Sequence, residues 1–321
     1  MSVTRVSADL PFRLTRYGRA IAQRIPGHTV RGDDAAWLIA ARDARLRRLP
    51  SIKTADVVIG MGSSFGYHIQ NRGRRLFRIT YEDMTVAQSN FPSCPAKDRW
   101  INRQRRLYSD ADLCCASTPW VADSINADYC IPRSKIVVAG LGANIWCEPR
   151  LKDWTTPNIL WVGVEWERKG GDILLEAFTR ARLPNATLNL VGRHPHIDLP
   201  GVQGHGIVRD EKRLRSFFEE ATLFALPSRF DPSPIVFLEA ASAGTPCIGT
   251  ETAGLAYNVG PSGVVVPPGD VAALIAALTE MTVPEVAARY SEAALAHARR
   301  HSWEAVAGRI MDAVEDRWHT Q

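Results

Sequence analysis

The 321-residue sequence contains no apolar run that approaches the roughly 20 residues needed by a membrane-spanning helix. Residues 1–30 are rich in arginine and lack the apolar stretch of a signal peptide, so we expect a cytoplasmic protein. The six cysteines include no CxxC pair and no His/Cys spacing typical of a metal site. We therefore expect reduced, mostly buried thiols, with neither a disulfide framework nor structural zinc.

Acidic residues are scarce in the first half of the chain. Residues 1–150 hold 23 Lys and Arg against 13 Asp and Glu, a net charge of +10, and the remainder carries −5, which gives the overall +5. Such a basic half fits either an ordinary solvated surface or contact with an anionic membrane surface. Its arginines are not interleaved with aromatic residues as in a nucleic-acid module, so we expect no nucleic-acid partner.

Short apolar runs alternate with amphipathic helical patterns along the chain, as in ADVVIGM, RRLFRITYEDM, NILWVGV and ATLNLVG for the strands. Strand and helix in alternation with short connections predict doubly wound parallel sheets. Before ADVVIGM, residues 12–25 and 33–49 are predicted helices and residues 28–32 a short strand. The chain is long enough for two cores, and the polar stretch WCEPRLKDWTTPN is the predicted linker between them.

The stretch PSRFDPSPIVFLEAASAGTPCIGT, residues 227–250, follows a buried strand and has the features of a ligand-binding loop. Pro234 suits the first residue of a helix that Gly244 ends. Ligands of open α/β sheets bind beyond the carboxyl ends of the strands, where helix amino termini attract phosphate. Asp231 and Glu239, eight positions apart, repel phosphate and should face hydroxyl groups instead. Together these features predict a nucleotide-sugar ligand.

The pattern of acid, seven residues and acid, with a small-residue helix that ends in AGTPCI, resembles the donor-binding signature of retaining GT-B glycosyltransferases, specifically family 4. NILWVGVEWERKGGDILLEAF, ATLNLVGRHP and SGVVVPPGD resemble that family's carboxyl-terminal domain in the same order. The resemblance implies an α/β GT-B fold, with two Rossmann-like doubly wound domains facing a central cleft. The implied divisions are an acceptor-side domain over 1–146, a linker over 147–157, a donor-binding domain over 158–301, and a helix over 302–321 that packs back on the amino-terminal domain. The family opens with an apolar strand and a glycine-rich loop, whereas this sequence opens with a helical pattern, so either the first domain is reduced or an upstream strand is missing from this sequence.

The resemblance also implies roles for residues of the second domain. Lys169 binds the diphosphate, and Arg168 substitutes for the family's arginine, which falls on Val164 here. Glu239 accepts hydrogen bonds from the ribose hydroxyls, and Asp231, where the family more often has Glu, binds hydroxyls of the donor sugar. Four further positions complete the predicted donor site: Ser233, Pro234 and Ile235, where the family presents main-chain N–H groups, and Gly192, at the end of a strand.

Candidates in the first domain are fewer. Asp83 resembles an end-of-strand acid that contacts the acceptor or the reacting sugar in the family, although a helix-capping role fits it equally well. Glu82 takes the place of the family's histidine. Three weaker candidates are His68, which follows a loop that would face the cleft, and Ser117 and Asn144, which lie at predicted strand ends on the cleft.

The predicted activity is transfer of a sugar, with retention, from a nucleotide-sugar donor to a glycan, lipid or small-molecule acceptor. Lys169 and Arg168 would stabilise the leaving diphosphate without a metal ion or a cofactor. The alternative is a catalytically inactive GT-B protein with a binding or scaffold role, which the departures at Val164 and Asp231 and the loop prolines favour. The basic first half leaves open peripheral contact with an anionic membrane at its inner face.

Overall fold

The computed structural model describes residues 55–61, 76–90 and 92–318. They form two compact units: the described residues up to Ser117 with Val121–Val138, and Thr118–Trp120 with the chain from Ala139 onwards. The elements predicted before residue 50, His68 and most of the glycine loop that precedes it lie outside the described residues. The linker at 147–157 and the return of the last helix onto the amino-terminal domain stay predictions.

The first unit is built on a four-stranded parallel sheet in the order β1-β2-β3-β4. Its strands are β1 (Val57–Met61), β2 (Phe77–Glu82), β3 (Leu113–Ala116) and β4 (Ile136–Val138). Its chain includes the helix α1 (Pro95–Asp110) and all but the first two residues of α2 (Pro119–Ala127). Strand β4 is short, with three residues. It ends two residues before Gly140, whose φ of +82° is left-handed and incompatible with a strand.

The second unit contains a six-stranded parallel sheet in the order β10-β9-β8-β5-β6-β7. Its strands are β5 (Asn158–Gly163), β6 (Thr187–Gly192), β7 (Val202–Gly206), β8 (Leu223–Ala225), β9 (Cys247–Thr250) and β10 (Gly263–Val266). This is the strand order of a doubly wound nucleotide-binding sheet. Successive strands are added on one side of β5 as far as β7 and then on its other side from β8 to β10, so the strand order reverses between β5 and β8. The parallel sheets confirm the α/β class predicted from the sequence.

Seven helices follow in the described part of the second unit: α3 (Gly171–Ala181), α4 (Glu211–Glu220), α5 (Val236–Ser242), α6 (Leu255–Val259), α7 (Val271–Met281), α8 (Pro284–Arg300) and α9 (Trp303–Trp318). Asp210 and Asp270 cap α4 and α7 with their carboxylates. The helix predicted from Pro234 begins at Val236 instead, because the chain before it forms a 3₁₀-type turn. In this turn Phe237 N–H donates a hydrogen bond to Pro234 O, and Leu238 N–H donates one to Ile235 O.

The core of the second unit is aromatic at its centre. Trp161, Phe218, Phe224 and Phe237 are completely buried, and the rings of Phe224 and Phe237 meet edge to face at 5.2 Å. Four of the six cysteines are buried, in agreement with the prediction, and all six are free thiols. Within the described ranges, no single helix has the length and apolarity to cross a membrane, although α7 and α8 reach that threshold as a pair bent by 92°.

Candidate functional site

The loops that follow β5 and β8 lie side by side where the strand order reverses. The two strands are hydrogen-bonded neighbours, and Arg229 N–H donates a 2.9 Å hydrogen bond to Arg168 O in the facing loop. Gly170 permits this approach, since its φ is +66° and a Cβ there would overlap the main-chain oxygen of Pro227. Ligands of open parallel sheets bind at the carboxyl ends of strands beside such a reversal, so these loops are the expected binding site.

Lys169, Arg168 and Asp231 form a charged cluster in the two loops. The Lys169 ammonium donates a hydrogen bond to Asp231 Oδ2, and Arg168 Nη1 lies 3.8 Å from the same oxygen. Asp231 is 5% exposed, so water screens this cluster weakly. The bond to Asp231 uses one of the three donors of the ammonium. The fold thus joins the lysine predicted to bind phosphate to the acid predicted to bind the sugar.

Arg168 is fixed by groups within the same loops. Its Nε and Nη2 donate to both oxygens of Glu165 at 2.8 and 2.7 Å, and its Nη1 donates to Phe230 O at 2.8 Å. The hydrogen bonds from Arg168 hold the pKa of the Glu165 carboxyl below its ordinary value. Val164 is 52% exposed in this loop. The substitution of Arg168 for an arginine at position 164 stays a prediction.

Arg229 is a third cation at these loops, which the sequence analysis missed. Its Nη1 and Nη2 donate to both oxygens of Asp172 at 2.8 and 2.7 Å, and Nη1 also donates to Glu167 O. These bonds hold the pKa of Asp172 below its ordinary value and tie the loop after β8 to the first turn of α3. No local pattern marks the pair, because the two residues are 57 positions apart.

Glu239 lies on α5 and binds main-chain groups from residues that follow β4. The N–H groups of Ile145 and Asn144 donate hydrogen bonds to its carboxylate. Burial raises the pKa of Glu239 to about 7, against the effect of the two N–H groups, which lower it. The structure therefore brings together Glu239 and Asn144, which the sequence analysis named as separate candidates.

The other predicted residues of the second unit shape the loops. Gly192 has a φ of +124°, and a Cβ there would overlap Gly163 O, to which Arg193 N–H donates at 2.9 Å. Glycine is therefore required at position 192, where the ends of β5 and β6 meet. Ser233, Pro234 and Ile235 lead into α5, and the loop is fixed by a 3.4 Å hydrogen bond from Asn258 Nδ2 to Pro234 O.

The candidates of the first unit lie at the carboxyl ends of β2 and β3. Glu82 is 2% exposed, and its Oε1 has no hydrogen-bond partner among the residues that the structure describes. Burial, and secondarily the charge of Asp83, raise the pKa of Glu82 well above its ordinary value. Asp83 is exposed, and Ser117 N–H donates to Glu82 O at 2.9 Å. Over residues 55–61, 76–90 and 92–318, no three His, Cys, Asp or Glu side chains group as metal ligands.

Comparison with known proteins gives a family for the part of the chain that carries these loops. Residues 156–282 match the family model Glycosyl transferases group 1. Glycogen synthase of Mycobacterium tuberculosis is 30% identical over 218 residues, which cover 62% of this chain and 51% of that protein. D-inositol 3-phosphate glycosyltransferase 2 of Catenulispora acidiphila is 34% identical over 116 residues, which cover 33% of this chain and 27% of that protein. The chain thus spans about half of the length of the first relative and about a quarter of the second.

A solved structure shows the same architecture. The HepE protein of Anabaena, determined in complex with UDP, aligns with a TM-score of 0.69 at 16% sequence identity, over 86% of this chain and 82% of that chain. At this identity the likeness concerns the fold. Residues 156–282 thus match the glycosyl transferases group 1 family, and the two parallel-sheet units of the chain have the GT-B fold.

Proposed function

We propose that the protein is a glycosyltransferase that moves a sugar, with retention of its anomeric configuration, from a nucleotide-sugar donor to a glycan, lipid or small-molecule acceptor. The observation that carries the proposal is the cluster of Lys169, Arg168 and Asp231 at the strand-order reversal of the second sheet. Two cations and a buried acid in that position fit a ligand with both phosphate and hydroxyl groups.

The contacts suggest an exchange of partners when the donor binds. The diphosphate takes the place of Asp231 as the partner of the Lys169 ammonium, and Arg168 adds a second positive charge. Asp231 then accepts a hydrogen bond from a hydroxyl of the donor sugar, while Glu239 accepts hydrogen bonds from the ribose. As the bond to the sugar breaks, negative charge grows on the leaving diphosphate, and both cations stabilise it.

Donor binding is tested by thermal shift with UDP, GDP and ADP on the wild type, Lys169→Met and Glu239→Ala. A ligand at a hundredfold excess over Kd stabilises the folded state by about 2.7 kcal/mol. One nucleotide should raise Tm in the wild type and much less in either variant. Arg180→Met is the control, because Arg180 pairs with exposed Glu176 on α3, away from the loops. An equal shift in all four proteins would contradict the proposed site.

A second candidate is a GT-B binding or scaffold protein without turnover. It is favoured by the same contacts, because Asp231 and Glu165 already supply negative charge to Lys169 and Arg168. Incubation with labelled sugars of the nucleotide that binds separates the two functions. Transfer to an acceptor or slow donor hydrolysis, lost in Asp231→Ala, supports the enzyme; binding without either reaction supports the scaffold. The anomeric proton of the product, followed by NMR, tests retention.

Metal independence and the acceptor side are further parts of the proposal. Activity should survive EDTA, since Lys169 and Arg168 supply the positive charge, and loss on chelation with recovery on Mg²⁺ would contradict this. We assign Asp83 to the acceptor or the reacting sugar. Asp83→Ala should then reduce turnover while nucleotide affinity stays as in the wild type, whereas a helix-capping role would lower Tm and leave turnover of the folded protein unchanged.

We also propose a cytoplasmic location with peripheral contact to an anionic membrane surface. Helix α1 carries five cationic side chains: Lys97, Arg99, Arg103, Arg105 and Arg106. Co-sedimentation with vesicles that contain an anionic phospholipid should exceed that with neutral vesicles and fall as salt is added. Equal sedimentation of the protein with both kinds of vesicle, or no sedimentation with either, would contradict the proposed membrane contact.

A further inference from the structure

Residues 139–147, here called the crossing segment, follow β4 and belong to the second unit. The residues around the start of α9 hold the first part of this segment. Arg309 Nε donates a 2.7 Å hydrogen bond to Ala139 O, and Ala143 N–H donates a 3.2 Å hydrogen bond to His301 O. Main-chain atoms of the crossing segment are therefore held by hydrogen bonds to Arg309, in α9, and to His301, just before α9.

Trp303, the first residue of α9, contacts the crossing segment through both parts of its indole. The indole N–H donates a 3.0 Å hydrogen bond to Asn144 Oδ1. The ring lies against Gly142, where a Cβ would come within 2.6 Å of the ring carbons. Trp303 is 36% exposed, so it is not simply a core residue. Its hydrogen bond instead fixes the orientation of Asn144.

Glu239 contacts the same residue of the crossing segment. Its carboxylate accepts hydrogen bonds from the main-chain N–H groups of Asn144 and Ile145. Two N–H groups directed at one carboxyl group favour its ionised form, whereas burial favours the neutral acid. Because the two effects balance to a pKa of about 7, a modest change in the aim of these N–H groups would change the ionised fraction at neutral pH.

We propose that Trp303 is a positioning residue for Glu239, acting through Asn144 and its main-chain N–H. This inference rests on the proposed function, in which the Glu239 carboxylate binds the ribose of the donor. The indole fixes Asn144, Asn144 directs its N–H at the carboxylate, and the carboxylate is held ready to accept hydrogen bonds from two hydroxyl groups. An ionised carboxylate accepts stronger hydrogen bonds than a neutral acid, so the chain of contacts sets nucleotide affinity.

The variant Trp303→Phe removes the indole N–H and keeps an aromatic ring against Gly142. Loss of one hydrogen bond of this kind corresponds to about a threefold to tenfold change in an equilibrium constant. The matched control is Trp146→Phe, because Trp146 lies in the crossing segment, is 38% exposed and takes no part in the chain of contacts. Asn144→Ala is the second variant, and combining it with Trp303→Phe should add little, since both remove the same hydrogen bond.

The first measurement needs no ligand. The side-chain carboxyl carbon of Glu239, assigned with Glu239→Gln, is followed by NMR against pH. The midpoint should lie near 7 in the wild type and in Trp146→Phe, and about 0.5–1 pH unit higher in Trp303→Phe. Two titratable groups lie in or contact the crossing segment. Burial raises the pKa of Cys147, which senses the Glu239 charge, to about 11, so this thiol stays neutral up to pH 9. Burial lowers the pKa of His301, so its ring is mostly neutral above pH 6.5.

The second measurement is calorimetric titration with UDP, GDP and ADP at pH 6.5 and 8.5. For the nucleotide that binds the wild type, Trp303→Phe should bind about threefold to tenfold more weakly at pH 6.5 and recover most of the loss at pH 8.5. An unchanged carboxyl midpoint in Trp303→Phe overturns the positioning role, whether or not a nucleotide binds. A shifted midpoint with no nucleotide bound by the wild type overturns the proposed function and, with it, the ribose role.

Discussion

Replacing Asp231 with asparagine removes the negative charge beside Lys169 while nearly preserving the volume of the side chain. In the wild type, Asp231 Oδ2 accepts the hydrogen bond from the Lys169 ammonium and faces Arg168 at 3.8 Å. The variant leaves both cations next to a neutral amide. It should therefore be less stable than the wild type without ligand, and it should gain more stability from an anion that takes the place of the carboxylate.

The magnitude follows from burial. Removing one partner of a buried ion pair costs about 3–5 kcal/mol, because the remaining charge is left uncompensated. The Lys169 side chain is 15% exposed, and an asparagine oxygen still accepts one hydrogen bond, so we expect a loss of about 2–3 kcal/mol. In a unit of this size 1 kcal/mol shifts Tm by about 2–4 °C, which gives a decrease of roughly 4–12 °C.

Thermal unfolding with and without pyrophosphate measures both effects. Asp270→Asn is the control, because it makes the same change of charge at the cap of α7, where asparagine caps equally well. Pyrophosphate should raise Tm further in Asp231→Asn than in the wild type. Equal Tm values for the Asp231 and Asp270 variants, or an equal pyrophosphate shift in Asp231→Asn and the wild type, would show that Asp231 does not compensate the charge of Lys169.

Three further predictions concern stability, each measured by urea unfolding. Gly170→Ala should cost about 2–4 kcal/mol more than Gly206→Ala, because both have left-handed φ but only position 170 meets a facing main-chain oxygen. Lys152→Met should cost about 2–4 kcal/mol, because the ammonium donates to three main-chain carbonyl groups at the end of α4; a loss under 1 kcal/mol would contradict this. Burial lowers the pKa of His297 to about 4, so its unfolded form binds more protons and stability should fall between pH 6.5 and 4; His297→Gln should flatten this dependence.

The sheet of the second unit could be predicted from sequence because its strands are buried along most of their length. β8 and β9 are buried at every position, which produces the short apolar runs seen in the sequence. Asp210 and Asp270 likewise mark the starts of α4 and α7, since an N-cap acts within one turn. Local physics therefore determines these elements, and a local pattern is enough to find them.

The contacts of the site could not be predicted in the same way. The residues Lys169 and Asp231 were named from their motifs, but their ion pair joins positions 62 apart in the sequence and depends on the pairing of β5 with β8. The partners of Glu239 are main-chain N–H groups, which every residue except proline has, so the residue types in the sequence do not indicate these partners. The end of β4 depends on the left-handed backbone of Gly140, and the sequence does not show which glycines adopt it.

If the Lys169 cluster binds the diphosphate of a nucleotide-sugar donor, a crystal structure with the nucleoside diphosphate that binds in the thermal-shift panel should show that contact. We expect the diphosphate beyond the carboxyl ends of β5 and β8, within hydrogen-bond distance of Lys169 Nζ, with Asp231 released from the ammonium and the ribose at Glu239. A nucleotide bound elsewhere, with the ion pair of Lys169 and Asp231 unbroken, would contradict this binding mode.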